Sequence, residues 1–324
     1  MQHLIDIVLL GLLMITGFAI VRMRSLLAAA MLTSIYSLLS AALFVVLDAV
    51  DVALTEAAIG AGISTILMLA AVALTSDEEK APRHTPLLPL FVVCATGAAL
   101  IYGTLDMPHY GDPAAPAHRY TAQAYLRDSP GEIGVPNVVT SVLASYRGYD
   151  TLGEVTVILT AGAGVLALLG DRIRRRKIAD AKVRKLIVLR VITKLFLPLI
   201  LLFALYVLFH GDYGPGGGFQ AGVIFATGFI LYALAFGLGN AQRLIPSRLL
   251  RIMAAAGVLI YAAVGIESML LGGKFLEYRV LANDPVTGQH LGIMLIEVGV
   301  GITVTAVMLI IYYGFVSRRH SGDI

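Results

Sequence analysis

Asp51–Leu74 reads DVALTEAAIGAGISTILMLAAVAL, an almost wholly apolar stretch with one carboxylate, Glu56, about a turn inside its start. At roughly 1.5 Å per residue, a helix of this length crosses a hydrocarbon core of about 30 Å. A charge inside a bilayer is costly unless it is paired, hydrated or protonated, so Glu56 is either a functional carboxylate or a wetted helix cap near the headgroups. Asp48 and Asp51 lie at the entrance. The small residues Ala57, Ala58, Gly60, Ala61 and Gly62 follow, then Ser64 and Thr65. Such residues let a neighbouring helix come close, and the two glycines permit a bulge in the backbone ladder.

The rest of the chain has the same character. Of 324 residues, 58% are hydrophobic and 14% charged, with a mean hydropathy of +0.85, so most of the chain must face lipid or other apolar helices. The single cysteine, Cys94, lies in an apolar run, which excludes an intrachain disulfide, a Cys-based iron–sulfur site and a CxxCH haem attachment. The seven histidines are scattered, with no pair four residues apart as a metal-binding helix requires. No GxxxxGK[ST] or GxGxxG phosphate loop is found. No cofactor is expected, and redox or nucleotide chemistry coupled to this chain would reside in a partner. The net charge of +3 is accounted for by membrane topology and gives no reason to expect nucleic acid.

Nine apolar runs follow one another: Leu4–Val21, Leu26–Leu47, Val52–Leu74, Leu87–Leu105, Leu152–Leu169, Leu186–Phe209, Phe219–Leu238, Leu249–Leu271 and Leu291–Phe315. They predict an all-α, polytopic transmembrane helix bundle. The first run lacks a basic leader and a cleavage site, so it is read as a retained span. Most Lys and Arg fall on one set of alternate loops, among them the run Arg172–Lys185. The expected topology therefore has the N-terminus outside and the C-terminus cytoplasmic. Arg172–Lys185 suits a topology anchor on anionic lipid, or a partner-docking segment, and divides five spans from four. Between the fourth and fifth runs lies a long loop, Asp106–Asp150, expected to be external. Its amphipathic part, Val138–Arg147, is expected at the membrane surface.

On that topology Glu56, Glu154, Glu267 and Glu297 all fall in the outer half of the membrane. Two helices begin alike, Asp51 to Glu56 with Thr55 and Asp150 to Glu154 with Thr151, each leading into a Gly/Ala-rich stretch. Neighbouring carboxylates that share protons or a cation can load and release ions. Each Glu could instead cap a helix start, which suits Glu154 better than Glu267. The expectation is that Glu56 and Glu154 belong to one ion path, with Glu56 the more critical. Lys194 either snorkels to the surface or pairs with a carboxylate on another helix or subunit, and Pro198 kinks its helix. Thr33, Ser37 and Ser40 share a face and fit helix bridging.

The loop His210-Gly-Asp-Tyr-Gly-Pro-Gly-Gly-Gly-Phe-Gln-Ala-Gly222 is the most distinctive segment. Its three successive glycines, Gly216, Gly217 and Gly218, reach backbone geometries closed to other residues. With the helix after it, HGDYGPGGGFQAGVIFATGFILYALAFG resembles the signature of the MnhB/MrpB subunit of multisubunit, Mrp-type Na+/H+ antiporters, whose hallmark is Pro215-Gly-Gly-Gly-Phe219 followed by a small-residue helix. Upstream, DVALTEAAIGAGISTILMLAAVAL resembles the MbhD-like domain, and TLGEVTVILTAGAGVLALLGDR the MbhE-like domain. The resemblance implies three fused domains: 1–80, MbhD-like with three helices; 81–180, MbhE-like with two helices and the long loop; and 181–324, MnhB/MrpB-like with four helices.

It further implies a component of a Na+/H+ antiporter complex in the bacterial cell (inner) membrane. Its partners would be large antiporter-like subunits, small membrane subunits and membrane lipid, and its ions Na+ and H+. The ion pathway would draw on Asp48, Asp51, Glu56, Glu154, Lys194, His210, Glu267 and Glu297. The chain is not expected to be an enzyme itself; the alternatives are a membrane-arm module of a redox-driven, hydrogenase-like or complex I-related machine, or a non-conducting scaffold. A stand-alone carrier fits less well, for the chain lacks the paired repeats of one.

Overall fold

Apolar segments of twenty-odd residues satisfy their backbone polar groups in lipid only as helices, and helices dominate the chain. The computed structural model describes residues 2–75, 77–78, 87–109, 111–169 and 187–319. The basic run Arg172–Lys185 and the expected domain joints near 80 and 180 lie outside these residues.

Nine helices among the described residues are long and apolar enough to cross a membrane. In chain order the helices are α1 (Gln2–Arg22), α2 (Leu26–Val46), α3 (Val50–Val72), α4 (Leu87–Thr104), α5 (Gln123–Glu132), α6 (Val138–Thr140), α7 (Gly148–Leu169), α8 (Ile187–His210), α9 (Gly218–Phe236), α10 (Leu238–Leu244), α11 (Ser247–Leu270) and α12 (Pro285–Arg319). No β-strand is present among the described residues; Ser25 and Glu78 form an isolated bridge. The middle of α3 widens into a π-helix over Ala57–Ser64, the stretch that holds Gly60 and Gly62. There Ser34 of α2 donates to the Ala61 carbonyl at 3.0 Å. The bridge to α3 thus comes from Ser34, with Ser37 of the expected hydroxyl face buried beside it.

The long helix α12 is the axis of the bundle, with α7, α9 and α11 packed around it. Glycine makes this possible, because with no side chain in the way two backbones close on each other. A Cβ at Gly257 of α11 would collide with Thr303 and the Gly299 carbonyl, and one at Gly222 of α9 would lie 2.8 Å from the Gly301 carbonyl. The core beneath holds Val223, Ile230, Leu250, Tyr261, Ile293, Ile296, Val304 and Leu309. By contrast α4 has no buried residue, and α1 turns Leu4, Ile7, Met14 and Phe18 outward. In water these faces would be costly, since each large apolar side chain left exposed forgoes about 1.5–3 kcal/mol of burial; in a bilayer they meet lipid or another subunit.

The segment Val138–Tyr146, α6 and the π-turn that continues it, does not stand apart on a surface. Thr140, Ser141 and Ala144 are buried, and the hydroxyl of Thr140 donates to the Gly211 carbonyl at 2.6 Å. Tyr278, in the 3-10 turn Tyr278–Leu281, donates to the Ala144 carbonyl at 3.0 Å. Burial pushes the Tyr278 hydroxyl above the ordinary tyrosine range, so it stays a protonated donor at neutral pH. Val139, Leu143 and Tyr146 remain exposed, so the segment packs on one side and is open on the other.

Candidate functional site

Where α3, α6, α7, α9 and α12 converge there is a cavity of about 280 Å³. Three carboxylates line it: Asp51 from α3, Glu154 from α7 and Glu297 from α12. Thr55, Thr151 and Gln220 add polar atoms, and Gly216, Gly217 and Gly218 form one wall. No Lys, Arg or His lines it among the described residues. Like charges gathered in a confined pocket repel one another, so such a site favours a bound proton or cation and disfavours anions. No group of three His, Cys, Asp or Glu among the described residues is placed to hold a metal ion.

Each wall has a local cause. Gly217, at φ +121°, turns the chain into α9, and its N–H donates to the Val207 carbonyl at 3.0 Å. A side-chain carbon at Gly211 or Gly217 would lie 3.1 Å from a Glu297 carboxylate oxygen, so the Glu297 headgroup occupies the room these glycines leave. Asn137, the cap of α6, ties the walls together. Its side-chain N–H groups donate to the carbonyls of Gly211 and Gly214 at 3.2 and 3.0 Å and to Asp51 Oδ1 at 3.3 Å, and its backbone N–H to the Asp212 carbonyl at 2.9 Å. Gln220 donates to the Thr55 hydroxyl at 2.7 Å, joining α9 to α3. Tyr261 of α11 donates to the Gly148 carbonyl at 2.7 Å and fixes the start of α7.

Asn137→Ala strands several polar groups at once, and leaving a buried partner unsatisfied costs about 1–3 kcal/mol. The purified complex is expected to melt several degrees lower with this substitution, and an unchanged melting temperature would show that the node carries no stability.

Of the residues expected to form an ion path, Asp51, Glu154 and Glu297 meet in the cavity. Glu56 does not line it. Helix phase explains the difference: Asp51 and Thr55, four residues apart, share a face, whereas Glu56 is one step of about 100° further round. Its carboxylate turns back over Gly60, beside Ser37 of α2. On α7 the phase is reversed, with Thr151 and Glu154 facing the cavity while Asp150 pairs with Arg147 at 2.6 Å on an exposed face. Asp48 makes the turn between α2 and α3 at φ +58°, a conformation that Asp tolerates. Lys194 and Glu267 are exposed on α8 and α11. His210 ends α8 with its ring stacked on Tyr206, 4.9 Å between centroids. Pro215 and Phe219 flank the glycine wall, and Phe219 lines the cavity. Asn137, Gln220, Asp212 and His290 take part in this region without having been singled out by their sequence surroundings, although Asp212 and Gln220 belong to the glycine-rich motif. Glu154 is exposed, as are Val52, Val139 and Leu143 along the same rim, so the cavity opens at the surface of the chain.

Three family matches follow one another along the chain. Residues 11–77 match MbhD and residues 89–184 match MbhE, both described as MBH subunits, and residues 188–310 match MnhB, described as a domain related to the MnhB subunit of Na+/H+ antiporters. The putative antiporter protein mnhB2 of Staphylococcus aureus (strain Newman) is 38% identical over 128 residues, 36% of this chain and 90% of its own length. A probable K(+)/H(+) antiporter A/B subunit of Rhizobium meliloti (strain 1021) is 29% identical over 52% of this chain, which spans only 19% of that protein's length. Among solved structures, a chain of the Mrp complex from Dietzia sp. DQ12-45-1b is 28% identical, with a TM-score of 0.76 over 95% of this chain and 34% of its own. A chain of the membrane-bound sulfane sulfur reductase, an archaeal respiratory membrane complex, is 30% identical, with a TM-score of 0.55 over 70% of this chain and 96% of its own.

Proposed function

We propose, from the premise that this chain belongs to the MnhB family of multisubunit antiporter proteins and carries MbhD and MbhE domains ahead of it, that it supplies part of the ion route in a Na+/H+ antiporter complex of the bacterial inner membrane. The observation that carries this reading is the cavity in which Asp51, Glu154 and Glu297, one from each matched domain, converge without a basic residue among those described. In the proposed exchange a proton or Na+ occupies the cavity in turn, the carboxylates carrying the negative charge that either one neutralises. Glu56, beside Ser37, serves as a further station toward α2, and the exposed Lys194 and Glu267 are available to partner subunits.

The open rim at Glu154 supports a partner that closes the cavity. A carboxylate left on the lipid-facing surface of a span is costly, and a second subunit or water must cover it. The isolated chain in proteoliposomes is therefore expected to exchange neither Na+ nor H+, while the complete complex does; robust exchange by the chain alone would refute the reading. In everted vesicles bearing the assembled complex, Glu154→Gln and Glu56→Gln are each expected to lose exchange, with Glu154→Asp retaining part of it. Wild-type transport by both Gln variants would leave the carboxylates as caps and the chain as a scaffold. The likeness to the sulfane sulfur reductase chain favours a second reading, the same module in a redox-driven complex. Metal-bearing redox subunits in the purified native complex would select it.

A further inference from the structure

Two turns before Glu297 on α12, His290 meets Asp212 of the glycine-rich loop, Nδ1 to Oδ2 at 2.9 Å. Seven residues of helix separate His290 from Glu297 by roughly 10 Å along one face. The loop that carries Asp212 also carries Gly211 and Gly217, against which the Glu297 carboxylate rests. The pair remains open to water, with the His290 side chain 32% exposed and that of Asp212 17% exposed. Asp212 directly follows Gly211, whose Cβ position lies 3.1 Å from Glu297 Oε2, so its charge sits beside the Glu297 wall of the cavity. An acidic partner at Nδ1 sets the neutral imidazole to donate there, which leaves Nε2 to take a proton from solution.

We propose that the Asp212–His290 pair is a proton-binding site whose occupancy opposes that of a monovalent cation in the neighbouring cavity. With His290 protonated, the imidazolium compensates Asp212, and the cavity is governed by Asp51, Glu154 and Glu297 alone. With His290 neutral, Asp212 adds a fourth negative charge beside Glu297, and a cation is held more tightly. At an effective dielectric near 20 and about 10 Å, one charge changes cation affinity roughly tenfold. Linkage requires the reverse as well: a cation in the cavity drives the proton off His290. The other titratable groups on the elements packed here do not replace this switch. Tyr261 and Tyr278 are engaged as donors to backbone carbonyls, and the His210 ring, stacked on Tyr206 and lying against Gly214 of the same loop, does not line the cavity. Among the described residues, the charges that line the cavity itself are the three carboxylates.

The inference rests on the cavity as the cation site, and the test separates the two. The complete complex is assayed in everted vesicles for the apparent KM for Na+ between about pH 5 and 8, the span over which histidine side chains change charge in proteins. His290→Gln leaves Asp212 uncompensated, and His290→Arg compensates it permanently. At every pH the Arg variant is expected to show a KM roughly tenfold above that of the Gln variant. The wild type is expected to move from the Arg-like value at the acid end to the Gln-like value at the alkaline end. Equal KM values for the two variants overturn the proposal. So does failure of both to assemble, which would make the pair a structural clamp. If only one assembles, a KM that tracks the wild type at both ends overturns it, and one that stays at its single limit supports it. Loss of exchange in Glu297→Gln together with equal KM values in the His290 variants would sink this inference alone. Normal exchange in Glu297→Gln would sink both.

Discussion

In a complex carrying Glu297→Gln, cation/proton exchange falls at least about a hundredfold, the scale on which a positioned proton-transfer group contributes, while assembly on native gels is unchanged. Glutamine keeps the shape of the side chain and its fit against Gly211 and Gly217, but it can neither titrate nor neutralise a cation. Glu297 is held on α12 against the glycine-rich loop, its carboxylate oxygens filling the room left by Gly211 and Gly217. Glu154 by contrast is exposed at the rim, so its loss leaves more room for water to substitute. Glu297→Asp draws the carboxylate back by one methylene and is expected to keep partial exchange with a shifted pH optimum. Wild-type transport in an assembled Glu297→Gln complex would refute the cavity as the cation site.

Gly217→Val is expected to abolish assembly rather than alter ion preference. At φ +121° and ψ 177° the backbone occupies a region essentially closed to side-chain-bearing residues, and strain there costs on the order of 1–3 kcal/mol. The first added carbon would already lie 3.1 Å from Glu297 Oε1, and the valine methyl groups would extend beyond it into the carboxylate. Relieving both faults means moving the loop, and with it the Gly211 and Gly214 carbonyls that Asn137 holds. The complex band on a native gel is the readout. A normally assembled complex with changed selectivity would show that the loop tunes ions and does not hold the walls.

Hydropathy alone made the nine spans legible, because lipid admits so few alternatives. The π-helix was legible too, in the closely spaced Gly60 and Gly62. Within the site, what sequence reasoning found and missed divides along helix phase and chain separation. Glu56 drew attention as the more deeply placed charge, but a helix shows one side chain per step of about 100°, and the face turned to the cavity carries Asp51 and Thr55. Which face is inward depends on what packs there, and a span apolar all round does not announce it. Asn137 and His290 were harder still. Asn137 is the one asparagine in a long loop, and its partners Gly211 and Gly214 lie more than seventy residues downstream. His290 gains its meaning only from Asp212, on the far side of three helices in the chain.

The Staphylococcus aureus mnhB2 chain matches 36% of the length of this chain, whereas the residues that line the cavity run from Asp51 to Val300. A polypeptide of that smaller extent can hold only some of the walls. Joining the walls covalently turns what would be a bimolecular encounter into an intramolecular one, with an effective concentration in the millimolar range for short flexible tethers. It also fixes their stoichiometry at one to one to one, whatever the relative rates of synthesis. A cell with several sets of such genes could not exchange one wall for a paralogue's, so the matching of Asp51, Glu154 and Glu297 would be inherited as a unit.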